Sequence, residues 1–225
     1  MVIEQCLSIN SRQLSKIGRL PEKISSVYIG SDACEHLMAK SDDIDKILSL
    51  GKNPVMPLPV LTDFFLKRAC DEIEKTLKFH NRLEVSANDI GTLAFLHRTF
   101  GKNISISVGR ILTYLWSKNS VDFSREMAER FSIGYFETDE PNTANSMINA
   151  GLKTALHYPY RFYGVTRTCY YTKETLESCP RQCGDVFVPL GDGQVLWRGN
   201  AYYTKEVRMP GKMPNRLILS YSLPC

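Results

Sequence analysis

Three cysteines near the C-terminal end of the sequence are spaced so that they can share one metal ion or cluster. They are Cys169, Cys179 and Cys183, in the pattern C-x9-C-x3-C. A C-x3-C pair brings two thiolates within one helical turn or tight loop, and such soft ligands select zinc or iron–sulfur clusters. Because a closed site needs four ligands, the sequence predicts that one more ligand comes from elsewhere in the chain.

Cys34 is the best candidate for this fourth ligand, because it follows a predicted strand at residues 26–29. In β/α barrels the loops after the strands form the functional face, so a loop after an early strand can meet a late segment. Cys225, the last residue of the sequence, is the alternative ligand. Cys6 and Cys70 are instead expected to be small buried hydrophobic side chains.

Four polar residues near the ends of predicted strands are candidates for catalytic work. They are Asn88, Arg110, Glu137 and His157. Strand ends of this kind line the mouth of a β/α barrel, which is where such folds hold their reacting groups. Three of them also have a structural explanation. The stretch with Asn88 can simply begin a helix, for which Asp89 is a typical N-cap. Arg110 and Glu137 can be solvated loop charges.

Short apolar runs alternate with helical patterns over the first two-thirds of the sequence. The predicted strands cover residues 26–29, 54–60, 82–87, 104–108, 133–137 and 153–157. The predicted helices include residues 61–77, 91–100, 123–131 and 142–150. This alternation predicts a mainly parallel sheet with helical crossovers. The first predicted strand is not followed by a G-x-G-x-x-G motif, so the sequence gives no support for dinucleotide binding.

A β/α barrel is therefore the expected α/β architecture. A standard eight-unit barrel needs roughly 250 residues, whereas only about 160 residues of this chain alternate. We therefore expect an incomplete or irregular TIM-like barrel, with a barrel-like core in residues 1–157. Residues 158–225 differ in texture and are expected to form a cysteine-rich, cluster-binding segment with a hairpin at 186–197, packed on the same domain.

Composition places the chain among globular proteins, with 43% hydrophobic and 23% charged residues. A net charge of +4 is too small to indicate a nucleic-acid partner. No apolar run is long enough to cross a bilayer and no secretory pattern opens the sequence, so we expect a cytoplasmic protein without membrane insertion. Seven cysteines in a reducing compartment argue against a disulfide framework.

Three stretches together resemble the collagenase-like peptidase U-32 family, and within it the UbiV-type proteins of oxygen-independent ubiquinone hydroxylation. V-Y-I-G-S-D-A-C at residues 27–34 is similar to the strand–Gly–loop–Cys element of that group. L-E-V-S-A-N-D-I-G at 83–91 is similar to its E-A-N-D-x-G strand end. R-T-C-Y-Y-T-K-E-T-L-E-S-C-P-R-Q-C at 167–183 resembles its cysteine run, and the three stretches occur in the family's order.

The resemblance implies a [4Fe-4S] cluster, a barrel-like fold and anaerobic hydroxylation of a quinone-precursor ring or an RNA base. The implied cluster ligands are Cys34, Cys169, Cys179 and Cys183. It also implies a hetero-oligomer with a second family member. A genuine peptidase is not expected, because the sequence has no H-E-x-x-H and no G-x-S-x-G.

Two other functions stay open at this point. The chain can be a non-catalytic, cluster-bearing partner subunit of a homologous enzyme. It can also be a binding module stabilised by a four-thiolate zinc site, since zinc and iron–sulfur clusters accept the same ligands.

Overall fold

The computed structural model describes residues 3–16, 20–166, 168–169, 173, 179, 187–205 and 208–220. The larger sheet consists of β1 (Glu4–Ile9), β2 (Ile24–Ile29), β3 (Asn53–Leu58), β4 (Leu83–Ala87), β5 (Ile104–Val108), β6 (Ile133–Thr138), β7 (Thr154–Tyr158) and β12 (Arg216–Ser220). The smaller sheet consists of β8 (Arg161–Val165), β9 (Val188–Leu190), β10 (Val195–Arg198) and β11 (Ala201–Thr204). The helices are α1 (Ser11–Lys16), α2 (Ser41–Ser49), α3 (Asp63–Phe79), α4 (Ile90–Phe100), α5 (Arg110–Trp116), α6 (Val121–Phe131) and α7 (Pro141–Asn149).

The eight strands of the larger sheet close into a parallel barrel, so the expectation of an incomplete or irregular barrel is wrong. The order around the ring is β1-β12-β7-β6-β5-β4-β3-β2. The last strand, β12, comes from the segment after residue 158 and pairs in parallel with both β1 and β7. Several crossover helices are short, since α2 and α7 have 9 residues each, while the crossover from β5 to β6 carries both α5 and α6. In chain order the strands of the smaller sheet come between β7 and β12.

Alternation along the strands separates two buried layers. In β4, Leu83, Val85 and Ala87 face outward and pack with Leu93 and Leu96 of α4. The residues between them face the inside of the barrel, where Glu84 meets side chains from other strands. The outer layer is therefore apolar and anchors the helices, while the barrel interior is free to carry polar groups.

The lower end of the barrel interior is filled by an ion-pair network around Arg216. The Arg216 guanidinium donates to Glu4 Oε2 at 2.8 Å, to Glu84 Oε1 at 2.6 Å and to the Tyr28 hydroxyl at 2.9 Å. It also lies 3.9 Å from the ring centre of Tyr135. Burial alone would lower the pKa of Arg216, but the neighbouring Tyr28 and Glu84 raise it well above its ordinary value. Arg216 therefore stays charged and links strands on different sides of the barrel.

The smaller sheet has the order β8-β11-β10-β9 and is antiparallel throughout. Its apolar side packs on the loop after β2, where Ala33 contacts a cluster that includes Tyr160, Leu196 and Tyr203. The predicted hairpin is confirmed as the β9–β10 pair. Because Ala33 follows the carboxyl end of a barrel strand, this sheet covers part of the barrel mouth.

Most predicted helices and strands occur within a few residues of their expected positions. The predicted N-cap Asp89 is confirmed, since its carboxylate accepts from the backbone N–H of Thr92 at 2.7 Å. Within the described residues, none of the helices combines the length and the apolar character that crossing a bilayer requires.

Candidate functional site at the barrel mouth

A small cavity lies at the carboxyl end of the barrel, between the strand ends and the smaller sheet. Its wall includes Tyr28 from β2, the β2 loop with Asp32 and Cys34, Arg110, His157, and Asn200 and Tyr203 of the covering sheet. The cavity has a volume of about 20 Å³, which is room for about one water molecule. The cavity is thus a narrow polar recess with aromatic walls.

Glu137 and His157 form a buried pair at the base of this recess. They belong to the neighbouring strands β6 and β7, whose parallel register sets Glu137 beside Ala155 and so brings the next inward side chain, His157, within reach. His157 Nε2 lies 2.9 Å from Glu137 Oε2, and the two side chains are 5% and 1% exposed. The ring of Tyr28 meets the imidazole edge-on, with 6.1 Å between centroids.

The Glu137–His157 pair has the arrangement of a base and its orienting group. Glu137 Oε2 fixes one ring nitrogen, so Nδ1 is the nitrogen that remains for a ligand in the cavity that His157 lines. Glu137 Oε1 is buried and has no hydrogen-bond partner among the described residues. A carboxylate held behind an imidazole fixes its tautomer and stabilises the protonated ring, which is what proton transfer requires.

Arg110 lies in the wall between two carboxylates. Its Nε donates to Asp32 Oδ2 at 2.6 Å and its Nη1 to Asp139 Oδ2 at 3.3 Å. The guanidinium also lies over Phe162 and Tyr203, 5.4 and 5.3 Å from the ring centroids. Burial alone would lower the pKa of Arg110, but the charge of Asp32 beside it raises that pKa above the ordinary value.

The ion pair with Arg110 also shifts the pKa of Asp32. Burial by itself would raise the pKa of Asp32, but the charges of Arg110, His157 and Arg198 lower it below its ordinary value. The wall therefore presents Arg110 and Asp32 as a fixed ion pair beside the imidazole of His157.

Asn88 binds backbone groups at the same end of the barrel. Its Nδ2 donates to the carbonyl of Leu58 at 2.9 Å, and its Oδ1 accepts from the N–H of Ile111 at 3.0 Å. A Cβ at Gly109 would lie 2.4 Å from this Oδ1, so only glycine fits beside it. These contacts join the end of β3 to the first turn of α5, and a direct part of Asn88 in chemistry stays a prediction.

The predicted cysteine ligands are only partly within the described residues. Cys34 and Cys169 are buried, at 7% and 3% exposure, and Cys179 is partly exposed. Cys183 and the alternative ligand Cys225 lie outside the described residues. In the described part of the chain, no three His, Cys, Asp or Glu side chains form a group that could hold a metal ion.

Asn200 brings the segments of two of these cysteines together. Its Nδ2 donates to the carbonyl of Ala33 at 2.8 Å and to the carbonyl of Thr166 at 3.2 Å. Ala33 directly precedes Cys34, and Thr166 lies just before Cys169 in the sequence. Thiolates are ligands that iron–sulfur clusters and zinc accept, but the described Cys34, Cys169 and Cys179 do not form such a group, so the four-cysteine set stays a prediction.

The two remaining cysteines are unlike these. Cys6 lies wholly inside the barrel, where burial raises the pKa of its thiol far above the ordinary value. Cys70 lies on α3, and burial raises its thiol pKa as well. Because metal ligation needs a thiolate, both fit the packing role that the sequence predicts.

The pairing of Glu137 with His157 and the role of Asn200 have no strong signal in the sequence. The Glu137–His157 pair depends on the register between two strands. For Asn200, the G-N dipeptide predicts a turn but not the partners of the asparagine side chain. No family model, curated protein or solved structure matches this chain. The function of the barrel mouth therefore has to be inferred from its own residues.

Proposed function

We propose that this chain is an iron–sulfur protein that acts on a small planar ligand, an aromatic ring or a nucleobase; the cavity at the barrel mouth, which has room for about one water molecule, has to widen before such a ring can enter. We expect it to take part in a hydroxylation that does not use dioxygen, as the resemblance to the UbiV-type proteins implies. The observation that carries the proposal is the double hydrogen bond of Asn200. It fastens the loop of Cys34 to the segment of Cys169 at the wall of the cavity.

The ligand set of the cluster is proposed to be Cys34, Cys169, Cys179 and Cys183. Supporting this set, two of the four thiols are buried and their segments share one hydrogen-bonding side chain. The C-x3-C pair follows Cys169 closely enough to fold onto the same place. When bound, such a cluster supplies one-electron transfer beside the substrate cavity.

The cavity wall supports a planar, polar ligand. Tyr28, Phe187 and Tyr203 offer ring surfaces, and aromatic side chains favour stacked or edge-on contact with other rings. His157, oriented by Glu137, is placed to accept a proton from a ligand in the cavity.

Isolation of the chain without oxygen tests the proposal. We expect a brown protein with broad visible absorption and about four iron and four sulfide per chain, as a [4Fe-4S] centre requires. A colourless protein that carries about one zinc per chain would contradict the iron–sulfur proposal and favour the four-thiolate zinc site. A protein with neither metal would exclude both.

A second candidate function, a cluster-bearing partner subunit, is favoured by exposed apolar residues at the same end of the barrel. Val60 and Phe64 follow β3, and Ile90 follows β4, with 53%, 71% and 49% exposure. Because β3 and β4 are neighbouring strands, these side chains follow adjacent strands of the barrel, and exposed apolar residues of this kind suit a protein interface. If the chain converts substrate when purified alone, the non-catalytic alternative is excluded.

A further inference from the structure

We propose that a groove at the lower end of the barrel binds a phosphorylated nucleoside, either as a free nucleotide or as a unit of a single nucleic-acid strand. The residues that line this lower groove include Asn53, Phe79, Asn81, Arg82 and Ser105. The groove lies at the end opposite to the cavity at the barrel mouth, so binding there does not require the function proposed for that cavity.

The lower groove opens where β3, β4 and β5 begin. Asn53 is the first residue of β3, Arg82 directly precedes β4, and Ser105 is the second residue of β5. The volume of the groove is about 510 Å³, whereas the cavity at the barrel mouth has about 20 Å³. Small-molecule sites in proteins have volumes of about 300–1,000 Å³, so the groove has room for a nucleotide as it stands.

Phe79 offers an aromatic ring to a ligand in the groove. It is the last residue of α3, and the chain leaves the helix at His80, whose backbone is extended. Phe79 lines the groove and is nevertheless 79% exposed. A base that stacks on this ring removes apolar surface of both partners from water, and every base has a planar face suited to this contact. A single exposed phenylalanine is ordinary on a protein surface, so its polar neighbours decide what it can bind.

Two asparagines supply hydrogen-bonding groups beside the ring. Asn53 and Asn81 are both exposed and both line the groove. A side-chain amide carries two donor hydrogens and an acceptor oxygen, which suits the mixed donor and acceptor edge of a nucleobase. An aromatic ring beside two amides therefore fits a base better than it fits the hydrocarbon of a lipid.

Cations precede several strands at this end of the barrel, each directly before its strand or two residues before it. They are Lys23 before β2, Lys52 before β3, Arg82 before β4, Lys102 before β5 and Lys153 before β7. Because the strands are parallel, all of these cations lie at the same end. Neighbouring strands lie about 4.8 Å apart, so the cations before β3, β4 and β5 form a row along the groove. The net charge of +4 therefore understates the positive charge at this end.

Helix ends explain part of this charge but not all of it. Lys78 lies in the last turn of α3, where a cation stabilises the carboxyl end of a helix. Arg82 lies past the end of α3, in the residues that join this helix to β4. Its charge is therefore placed at the groove for a reason other than capping the helix.

The acidic side chains near the groove have cationic partners of their own. Glu84 lines the groove but lies 2.6 Å from Arg216, and Asp45 lies 2.8 Å from the His80 ring. Within the described part of the chain, no carboxylate pairs with Arg82 or Lys102. These two cations can thus neutralise phosphate groups of a ligand whose base stacks on the neighbouring ring.

Two titrations of the full chain test the proposal and separate the two sources of the ligand. Fluorescence anisotropy measures binding of a labelled single strand of about ten nucleotides, as RNA and as DNA, and calorimetry measures binding of adenosine 5′-monophosphate. We expect a Kd below about 10⁻⁴ M at physiological salt in at least one titration. Binding in neither would overturn the proposal, and so would binding only to phosphatidylglycerol vesicles, which would indicate a lipid surface instead.

Variants at the two ends of α3 locate the binding site. Phe79→Ala removes the ring at the groove, and its matched control is Phe64→Ala, which removes a ring that is 71% exposed on the first turn of the same helix. Phe79→Ala should weaken binding at least about fivefold, because a stacked base is lost, while Phe64→Ala should stay within about twofold of wild type. Equal affinities of these two variants would overturn the proposal.

A second pair of variants tests the phosphate contact. Arg82→Gln and Lys67→Gln each remove one positive charge from an exposed side chain, but Lys67 lies near the start of α3. Arg82→Gln should weaken binding and lower the slope of log Kd against log salt for the strand by about 0.7, as the loss of one phosphate contact requires. Lys67→Gln should keep the wild-type slope, and all four variants should unfold at the wild-type denaturant concentration. Equal slopes for Arg82→Gln and Lys67→Gln, with a strand that binds, would overturn the assigned contact.

Discussion

At the scale of single residues, the barrel mouth combines the ion pair of Arg110 with an imidazole that a carboxylate orients. Arg110 is held by Asp32 and Asp139, and its guanidinium is covered by aromatic rings. His157 is held by Glu137 and lines the cavity. The first arrangement shapes the wall and fixes its charge, while the second is suited to proton transfer.

Asp32 gives this part of the molecule a defined response to acid. Its pKa is lowered in the folded chain, so it adds stability above its unfolded pKa of about 3.9, and that stability is lost as pH falls through the folded pKa. Asp32→Asn should therefore flatten the loss of unfolding free energy below about pH 4.

The same variant should also destabilise the chain at neutral pH by about 3–5 kcal/mol, because the buried Arg110 loses its closest carboxylate. Denaturant unfolding between pH 3 and 7 measures both effects. Asp42→Asn, on the outer helix α2, is the control and should follow wild type. An acid profile of Asp32→Asn that runs parallel to wild type would refute the assigned role.

At the scale of elements, short contacts between loops set the shape of the barrel mouth. Asn88 joins the end of β3 to the first turn of α5, and Asn200 joins the β2 loop to the smaller sheet. Both use a side-chain amide to satisfy backbone groups of two different segments at once. Loops that are fixed in this way can hold reacting groups in place.

Gly109 tests the tightness of one of these contacts. In Gly109→Ala the new Cβ would lie 2.4 Å from Asn88 Oδ1, so Asn88 must move and weaken its bonds to Leu58 and Ile111. We expect a loss of about 1–3 kcal/mol of unfolding free energy. Denaturant titration measures it.

The control for this test is Gly164→Ala on β8. A Cβ at Gly164 meets nothing within 4 Å, so this variant should be neutral to within about 0.5 kcal/mol. If Gly109→Ala were as stable as Gly164→Ala, the loops at the barrel mouth would be loosely packed, contrary to the structure.

Local patterns predict most of these elements but not how they assemble. The period of apolar residues places β4, β5 and β6 to within about two residues, because each strand lies between clear helical patterns. Clear helical patterns do not flank the apolar residues of β12 in the sequence, and these residues do not indicate which strands β12 pairs with. The closure of the ring by β12 was therefore missed. The Glu137–His157 pair was missed for a related reason, since it depends on strand register.

At the scale of the whole molecule, the barrel interior is divided along its axis. The lower end holds the Arg216 network and the upper end holds the cavity, with a small apolar cluster that includes Cys6, Val55 and Ile218 between them. The lower network seals and stabilises the ring, so the upper end is left for binding, as is general for barrels of this kind.

Arg216→Ala should therefore be strongly destabilising. It leaves the carboxylates of Glu4 and Glu84 without their shared cation inside the barrel, and breaking a buried ion pair costs about 3–5 kcal/mol. Denaturant unfolding measures the loss. Arg125→Ala is the matched control, because Arg125 pairs with Asp122 at an exposed surface and should contribute less than about 1 kcal/mol. Similar losses for both variants would contradict the sealing role.

The central claim is that cysteines far apart in the sequence converge on one cluster at the barrel mouth. The most direct test is the iron and sulfide content of anaerobically isolated Cys34→Ala, compared with Cys225→Ala and Cys70→Ala. We expect that Cys34→Ala loses the cluster, while the other two variants keep about four iron and four sulfide per chain. If Cys225→Ala loses the cluster while Cys34→Ala keeps it, the barrel-mouth site proposed here is wrong.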